Sequence, residues 1–142
     1  MRHRVLITLT IALLGFLTGA ANAADDSLYK AFGEKAGIAT LMTDFVGRLK
    51  TDAQIGRYFK DTKASALAES LTGQICQVAG GPCEYEGAPM KQAHQDLEVD
   101  RAAFNRLVEV LQDAMNAKGI AFGDQNRLLA RLAPLHRDII TK

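Results

Sequence analysis

The sequence predicts an all-α protein, and three observations carry that prediction. Apolar residues recur three and four apart over four long segments, the spacing of a buried helix face. No segment shows sustained period-two alternation of β-branched residues, the mark of a half-buried strand. Glycine, proline and aspartate fall between the apolar segments, where helices begin and end.

Each element has its own reason. A short helix runs from about Leu28 to Phe32, and Gly33 ends it. Ile38, Leu41, Met42, Phe45, Val46 and Leu49 then form one face of a helix from Ile38 to Lys50. Gln54 to Phe59 reads as a turn or a short helical piece. Asp61 or Thr62 is expected to cap the next helix, with Leu67, Leu71, Ile75 and Val78 inward and Gly80-Gly81-Pro82 as its stop. A Gly/Pro-rich hinge leads into a helical turn from Ala88 to His94. Asp100 caps a helix carrying Phe104, Leu107, Val108, Leu111 and Met115, and Gly119 ends it. Asp124 is expected to cap the last helix, with Leu128, Leu129, Leu132, Leu135 and Ile139 inward. Pro134 lacks an N–H and should kink that helix or shift its boundary.

The N-terminus sets an expected compartment. Arg2 and Arg4 precede an apolar stretch from Val5 to Leu17, and Ala21-Asn22-Ala23 is a small-x-small cleavage site. This is the layout of a secretory signal peptide over residues 1–23, cut after Ala23. The alternative, a membrane anchor, asks a short apolar stretch to span a bilayer, with Gly15 and Gly19 near its end. Residues 24–142 would form one periplasmic or secreted domain, long enough for a sizeable core. Losing Arg2 and Arg4 leaves 15 cationic against 16 anionic side chains, a net charge of −1. So near-neutral a balance gives no electrostatic case for nucleic acid or, after cleavage, for a membrane surface.

His94 ends the stretch that begins at Gly80, beside a long apolar helix. One imidazole there can serve as the single axial ligand to a flat apolar cofactor such as haem. A packed or exposed side chain is the plainer reading of a lone histidine. Cys76 and Cys83 are the two cysteines, and in an exported chain a pair suggests a disulfide. Closing so short a loop would contribute about 2–3 kcal/mol on the chain-entropy model. Two free thiols remain the alternative, since spacing does not show how near the Cβ atoms come. The spacing fits neither a Cys-x-x-Cys-His haem attachment nor a zinc site.

The segment Gly80-Gly81-Pro82 to Tyr85, Gly87, Met90-Lys91 and His94 resembles the EF loop and proximal segment of group-one truncated haemoglobins. The resemblance extends from about Leu28 to Ile140. Its other anchors are Tyr29 to Gly37, Asp44-Phe45, Tyr58-Phe59, Phe104 and Ala133-Pro134. It implies a truncated globin, a two-over-two helical sandwich around haem b, rather than a plain helical bundle. It implies His94 as the iron ligand and Phe59 packed on the porphyrin, with Met90, Ala93, Val99 and Phe104 on the proximal side. His136 matches a histidine that bonds to a haem vinyl group in some cyanobacterial relatives; a histidine partly exposed on the last helix is the alternative.

On the distal side the chain departs from the family. Many members carry a tyrosine where this chain has Val46 and a glutamine where it has Leu71; together these hydrogen-bond dioxygen at the iron. Val46, Leu71 and the gate residue Leu67 are all apolar here. Gln74 or Ser70 are substitutes for the lost donors, or else rim residues. The family's glycine pair is also reduced, to Gly33-Glu34.

Three functions stay open at this point. One is binding or transport of a diatomic gas: dioxygen, nitric oxide or carbon monoxide. Another is haem redox enzymology, such as nitric oxide dioxygenation or peroxidase turnover, fed by an external reductase or electron donor. The last is a non-haem helical interaction module. A Soret band separates the first two from the third, and nitric oxide consumption by the oxy form separates the first from the second.

Overall fold

In the computed structural model, residues 25–142 are described, and among them every regular element is helical. The leader expected over residues 1–23 lies outside them. The α-helices are α1 (Ser27–Ala31), α2 (Glu34–Thr51), α3 (Ala64–Val78), α4 (Met90–His94), α5 (Arg101–Ala117), α6 (Phe122–Leu132) and α7 (His136–Ile139). A 3₁₀ turn at Gly56–Phe59 follows α2, and another at Ala133–Leu135 joins α6 to α7.

The apolar faces explain the packing. Ile38, Leu41, Met42, Phe45 and Leu49 of α2 are buried against Ile75 and Cys76 of α3, against Val110, Leu111, Ala114 and Met115 of α5, and against Leu128 of α6. Helix α2 pairs most extensively with α3 and then with α5, and α4 meets α7. This is the expected all-α, two-over-two arrangement.

Several boundaries differ from expectation. Lys63, not Asp61 or Thr62, is the N-cap of α3, with no side-chain cap. The Thr62 carbonyl instead accepts from Lys50 Nζ at 2.6 Å, as does the Phe59 carbonyl at 2.8 Å, tying the loop to α2. Asp124 does not cap α6, which starts at Phe122; it lies in the first turn and pairs with Arg127 at 3.1 Å. Asp100 does cap α5, its carboxylate accepting from the Ala103 N–H at 2.7 Å. Pro134 splits the last helix: α6 ends at Leu132 and the chain tightens into the 3₁₀ turn.

Gly80 adopts φ +87° and turns the chain out of α3. At the α1–α2 corner, Gly33 has φ +76° and Glu34 follows at φ +59°. The reduced glycine pair thus leaves a glutamate in left-handed backbone, where its Cβ crowds the following carbonyl.

An ion pair spans the helices. Asp52, at the end of α2, meets Arg106 of α5 at 2.9 Å. The Arg106 guanidinium, helped by the Ile55 and Gln54 N–H groups, holds the Asp52 carboxyl below its usual range against the opposing effect of desolvation.

Candidate functional site

Most of the apolar residues expected inward, among them Met42, Phe45, Leu49, Ile75 and Leu111 of the core, also line a cavity of about 680 Å³. Helix α2 contributes Met42, Phe45 and Leu49, and the following turn contributes Tyr58 and Phe59. Helix α3 contributes Leu67, Ser70, Leu71, Gln74 and Ile75, at the i, i+3, i+4, i+7, i+8 spacing of one face. Met90, Ala93 and His94 of α4 stand on the wall with Leu97 just beyond, and Phe104, Leu107, Val108 and Leu111 come from α5. Leu129, Leu132, Leu135, His136 and Ile139 complete it. The volume and the mostly apolar lining are those of a site for a sizeable organic ligand, about 300–1,000 Å³. A bundle core of the same residues would be close-packed.

His94 is positioned by its own helix. Its Nδ1 lies 2.7 Å from the Met90 carbonyl oxygen one turn earlier. A carbonyl has no proton to give, so Nδ1–H donates and the other ring nitrogen, Nε2, keeps its lone pair in the neutral ring. Pro89 sets the entry to this short helix as its N-cap.

The loop between α3 and α4 is tied at several points. Cys76 and Cys83 form a disulfide with Cα atoms 5.8 Å apart. The Gly81 N–H donates to the Cys76 carbonyl at 2.8 Å, and the Tyr85 N–H donates to Gln77 Oε1 at 2.6 Å. The Tyr85 hydroxyl donates to the Ala88 carbonyl at 2.9 Å, so both residues are held against the cavity.

Of the site residues named from sequence, His94, Phe59, Leu67, Leu71, Met90, Phe104 and His136 share the cavity wall. Ser70, Gln74 and Ala93 join them. Val46 does not: it is 1% exposed but absent from the lining. Met42, Phe45 and Leu49 centre on one direction of α2, and Val46 sits on the flank of that stripe, since successive residues turn by about 100°. Val99 is buried behind the wall, lining a smaller void. His136 Nδ1 donates to the Ala133 carbonyl at 2.8 Å, and its ring lies 6.4 Å from that of Phe104, tilted by 60°. The Gln74 amide donates to Met90 Sδ at 3.5 Å, a weak acceptor.

Sequence reasoning missed Tyr58, Thr62, Tyr85 and Ala88 on the wall, and Lys50 behind it. Tyr58 and Tyr85 were legible as motif residues, but nothing in the helical periodicity marked them as lining. Among the described residues no three His, Cys, Asp or Glu side chains gather as a metal site, and no helix is long and apolar enough to cross a membrane.

Comparison with known proteins follows the same outline. The family model described as bacterial-like globin matches residues 27–141. A group 1 truncated haemoglobin GlbN of Mycolicibacterium paratuberculosis is 30% identical over 115 residues, covering 81% of this chain and 85% of that protein. A GlbN of Nostoc is 25% identical, over 82% of this chain and 98% of its own length. The Fe(III) truncated haemoglobin of Tetrahymena pyriformis superposes with a TM-score of 0.77 at 20% identity, over 81% of this chain and 98% of that one. A Synechococcus 2/2 haemoglobin, in the cyanomet state with covalently attached haem, gives 0.75 at 19% identity over the same shares.

Proposed function

Because the chain belongs to the bacterial-like globin family, we propose that it holds haem b through His94 and binds a diatomic gas at the iron. The observation that carries this reading is the His94 imidazole on the wall of the apolar cavity, with Nδ1–H committed to the Met90 carbonyl. That bond orients the ring and raises its basicity, as metal-ligating histidines require. The cavity suits a flat apolar group with one such ligand. Bound haem would supply an iron with an open coordination position for a gas molecule, and His94 would hold it.

The chain's own residues decide how polar that position is. Leu67 and Leu71 face the cavity from α3 without a donor, and Ser70 and Gln74 flank them. A gas that gathers negative charge when held gains about 1.5–3 kcal/mol from each charge-assisted donor. Dioxygen depends on such help more than carbon monoxide does. The lining therefore favours carbon monoxide over dioxygen and rapid dioxygen loss, which supports gas binding over sustained oxygen chemistry.

The haem is held without a covalent link in this reading. His136 lines the cavity, but its Nδ1 is engaged with Ala133, and its place near Phe104 suits packing as well as bonding. Residues 1–23 are read as an export leader, so the domain works in the periplasm or outside the cell; the Cys76–Cys83 pairing suits such an oxidising place.

The test is the spectrum of His94→Ala. The histidine-ligated haem spectrum should be lost unless an added base such as imidazole restores it. An unchanged spectrum overturns the assignment. Acid–butanone should extract all haem from the unaltered protein; colour left with the protein that His136→Ala then releases would mean a covalent link.

A further inference from the structure

We propose that Lys50 is a positioning residue for the haem site: its ammonium gathers the carbonyls of Phe59, Lys60 and Thr62 and so sets both Phe59 and the start of α3. The role toward haem rests on the proposed function; the clamp itself does not. Lys50 Nζ donates to the Thr62 carbonyl at 2.6 Å, to the Phe59 carbonyl at 2.8 Å and to the Lys60 carbonyl at 3.3 Å. An ammonium has three N–H donors, and three acceptors meet them here.

Helix electrostatics do not explain the placement. Thr62 stands just before Lys63, the N-cap of α3. A helix N-terminus carries partial positive charge, so the dipole of α3 opposes a cation there. The groups that receive the ammonium are neutral carbonyls, not a carboxylate. Their bonds must outweigh both the dipole and the entropy lost in ordering a long side chain. Lys50 is placed to make them because it is half-buried, one turn after Val46 on the flank of α2. A lysine can lay its stem over apolar surface while its head reaches polar groups.

What the clamp holds is one stretch of wall. Phe59 and Thr62 line the large cavity, and Leu67 follows one turn into α3. The Thr62 N–H closes a turn onto the Phe59 carbonyl at 3.1 Å, and the Leu67 N–H donates to the Lys63 carbonyl at 3.1 Å. A shift of the loop therefore carries Phe59 and Leu67 with it. Helix α3 has no side-chain cap to fix its start, and Lys50 fixes it from α2 instead. Any group that fills the cavity meets both side chains. A gap of about 0.5–1 Å already forfeits a quarter to a half of a packing contact. Releasing the loop should thus loosen the hold on haem without touching His94.

The test removes the ammonium and keeps the stem. Lys50→Met, loaded with haem and carbon monoxide, should shift the Phe59 ring resonances in the NMR spectrum and lose haem to a scavenger protein at least several-fold faster. Gln125→Ala is the control for lost stability alone: Gln125 fastens the turn between α5 and α6 through Asn116 and Ile120 and lies off the cavity wall. It should leave the Phe59 resonances in place. The unaltered protein carries a second check. An ammonium held by three carbonyls exchanges its protons slowly, so Lys50 should give a sharp proton–nitrogen correlation from its side chain. Absence of that protected signal overturns the proposal, whether or not the variant folds. Unmoved Phe59 resonances in a folded Lys50→Met protein overturn it as well, and so does haem loss no faster than in Gln125→Ala. Failure of the unaltered protein to take up haem would overturn the haem reading instead, and Phe59 resonances moved by Lys50→Met in haem-free protein would still support the clamp.

Discussion

In the proposed gas site, Leu71 matters for what it lacks. It lines the cavity from the middle of α3 and offers no donor. Leu71→Gln should slow dioxygen release about tenfold if the amide reaches the ligand, since ~1.4 kcal/mol is a factor of ten. Stopped-flow displacement of dioxygen by carbon monoxide measures it; an unchanged off-rate would mean Gln74, Ser70 or water already donates. Glu34 makes a second residue-scale case. At φ +59° it bears a cost of about 1–2 kcal/mol that glycine escapes. Glu34→Gly should raise stability by about 1 kcal/mol and Tm by about 4 °C in a thermal melt. Much at this scale was legible. His94 and the polar gap on α3 stood in the sequence, because a motif and a helical spacing name them. Val46 was not legible, because whether a residue centres on a helical stripe or flanks it depends on the rotation of α2 against its neighbours. Lys50 was not legible either: its acceptors are backbone carbonyls nine or more residues away, which leave no mark in side-chain pattern.

At the scale of elements, the helices were readable because each carries an apolar stripe. Their ends were less so. Asp100 caps α5 as its position suggests, whereas Asp61 and Asp124 are equally good capping residues that the chain does not use as caps. A cap depends on where the preceding loop releases the backbone, and Lys50 fixes that loop before α3. The Asp52–Arg106 pair joins α2 to α5 across a long sequence gap and had no local signal. Its contribution has a definite pH sign. The native Asp52 pKa is lowered, so the stabilisation is full above the unfolded value of about 3.9 and is lost as pH falls through the native one. Asp52→Asn should lower Tm at pH 7, and the gap to the unaltered protein should close on acidification below about pH 4. A gap that stays constant to pH 2 would assign the effect to packing.

The molecule as a whole turns on a distinction periodicity does not make. An apolar face looks the same in sequence whether it meets another helix or the wall of a cavity. Leu67, Leu71, Leu107 and Leu129 belong to the second kind, while Leu28, Leu41 and Leu128 are fully buried or nearly so and lie off the wall. The family resemblance, resting on the His94 block, supplied what the periodicity did not. The cysteine pair was legible as a possibility, and the loop geometry brings it together at a Cα separation of 5.8 Å. Unreduced protein purified from an oxidising compartment should show no free thiol on denaturation, and two after reduction. Intact mass of the same sample should place its first residue at Ala24. Two thiols without reduction would count against the pairing.

A cross-link beside a binding site creates a debt in both directions. Cys76 sits next to Ile75 on the cavity wall, and Cys83 lies in the loop that carries Tyr85 and Ala88 to it. Free energy around a closed cycle must sum to zero, so whatever the bond does for haem capture, captured haem does for the bond. If oxidation tightens haem retention tenfold, loading with haem makes the pair harder to reduce by the same factor, about 30 mV for two electrons. The loop then has two guardians, the redox poise outside the protein and the guest inside it, and either one protects it when the other fails.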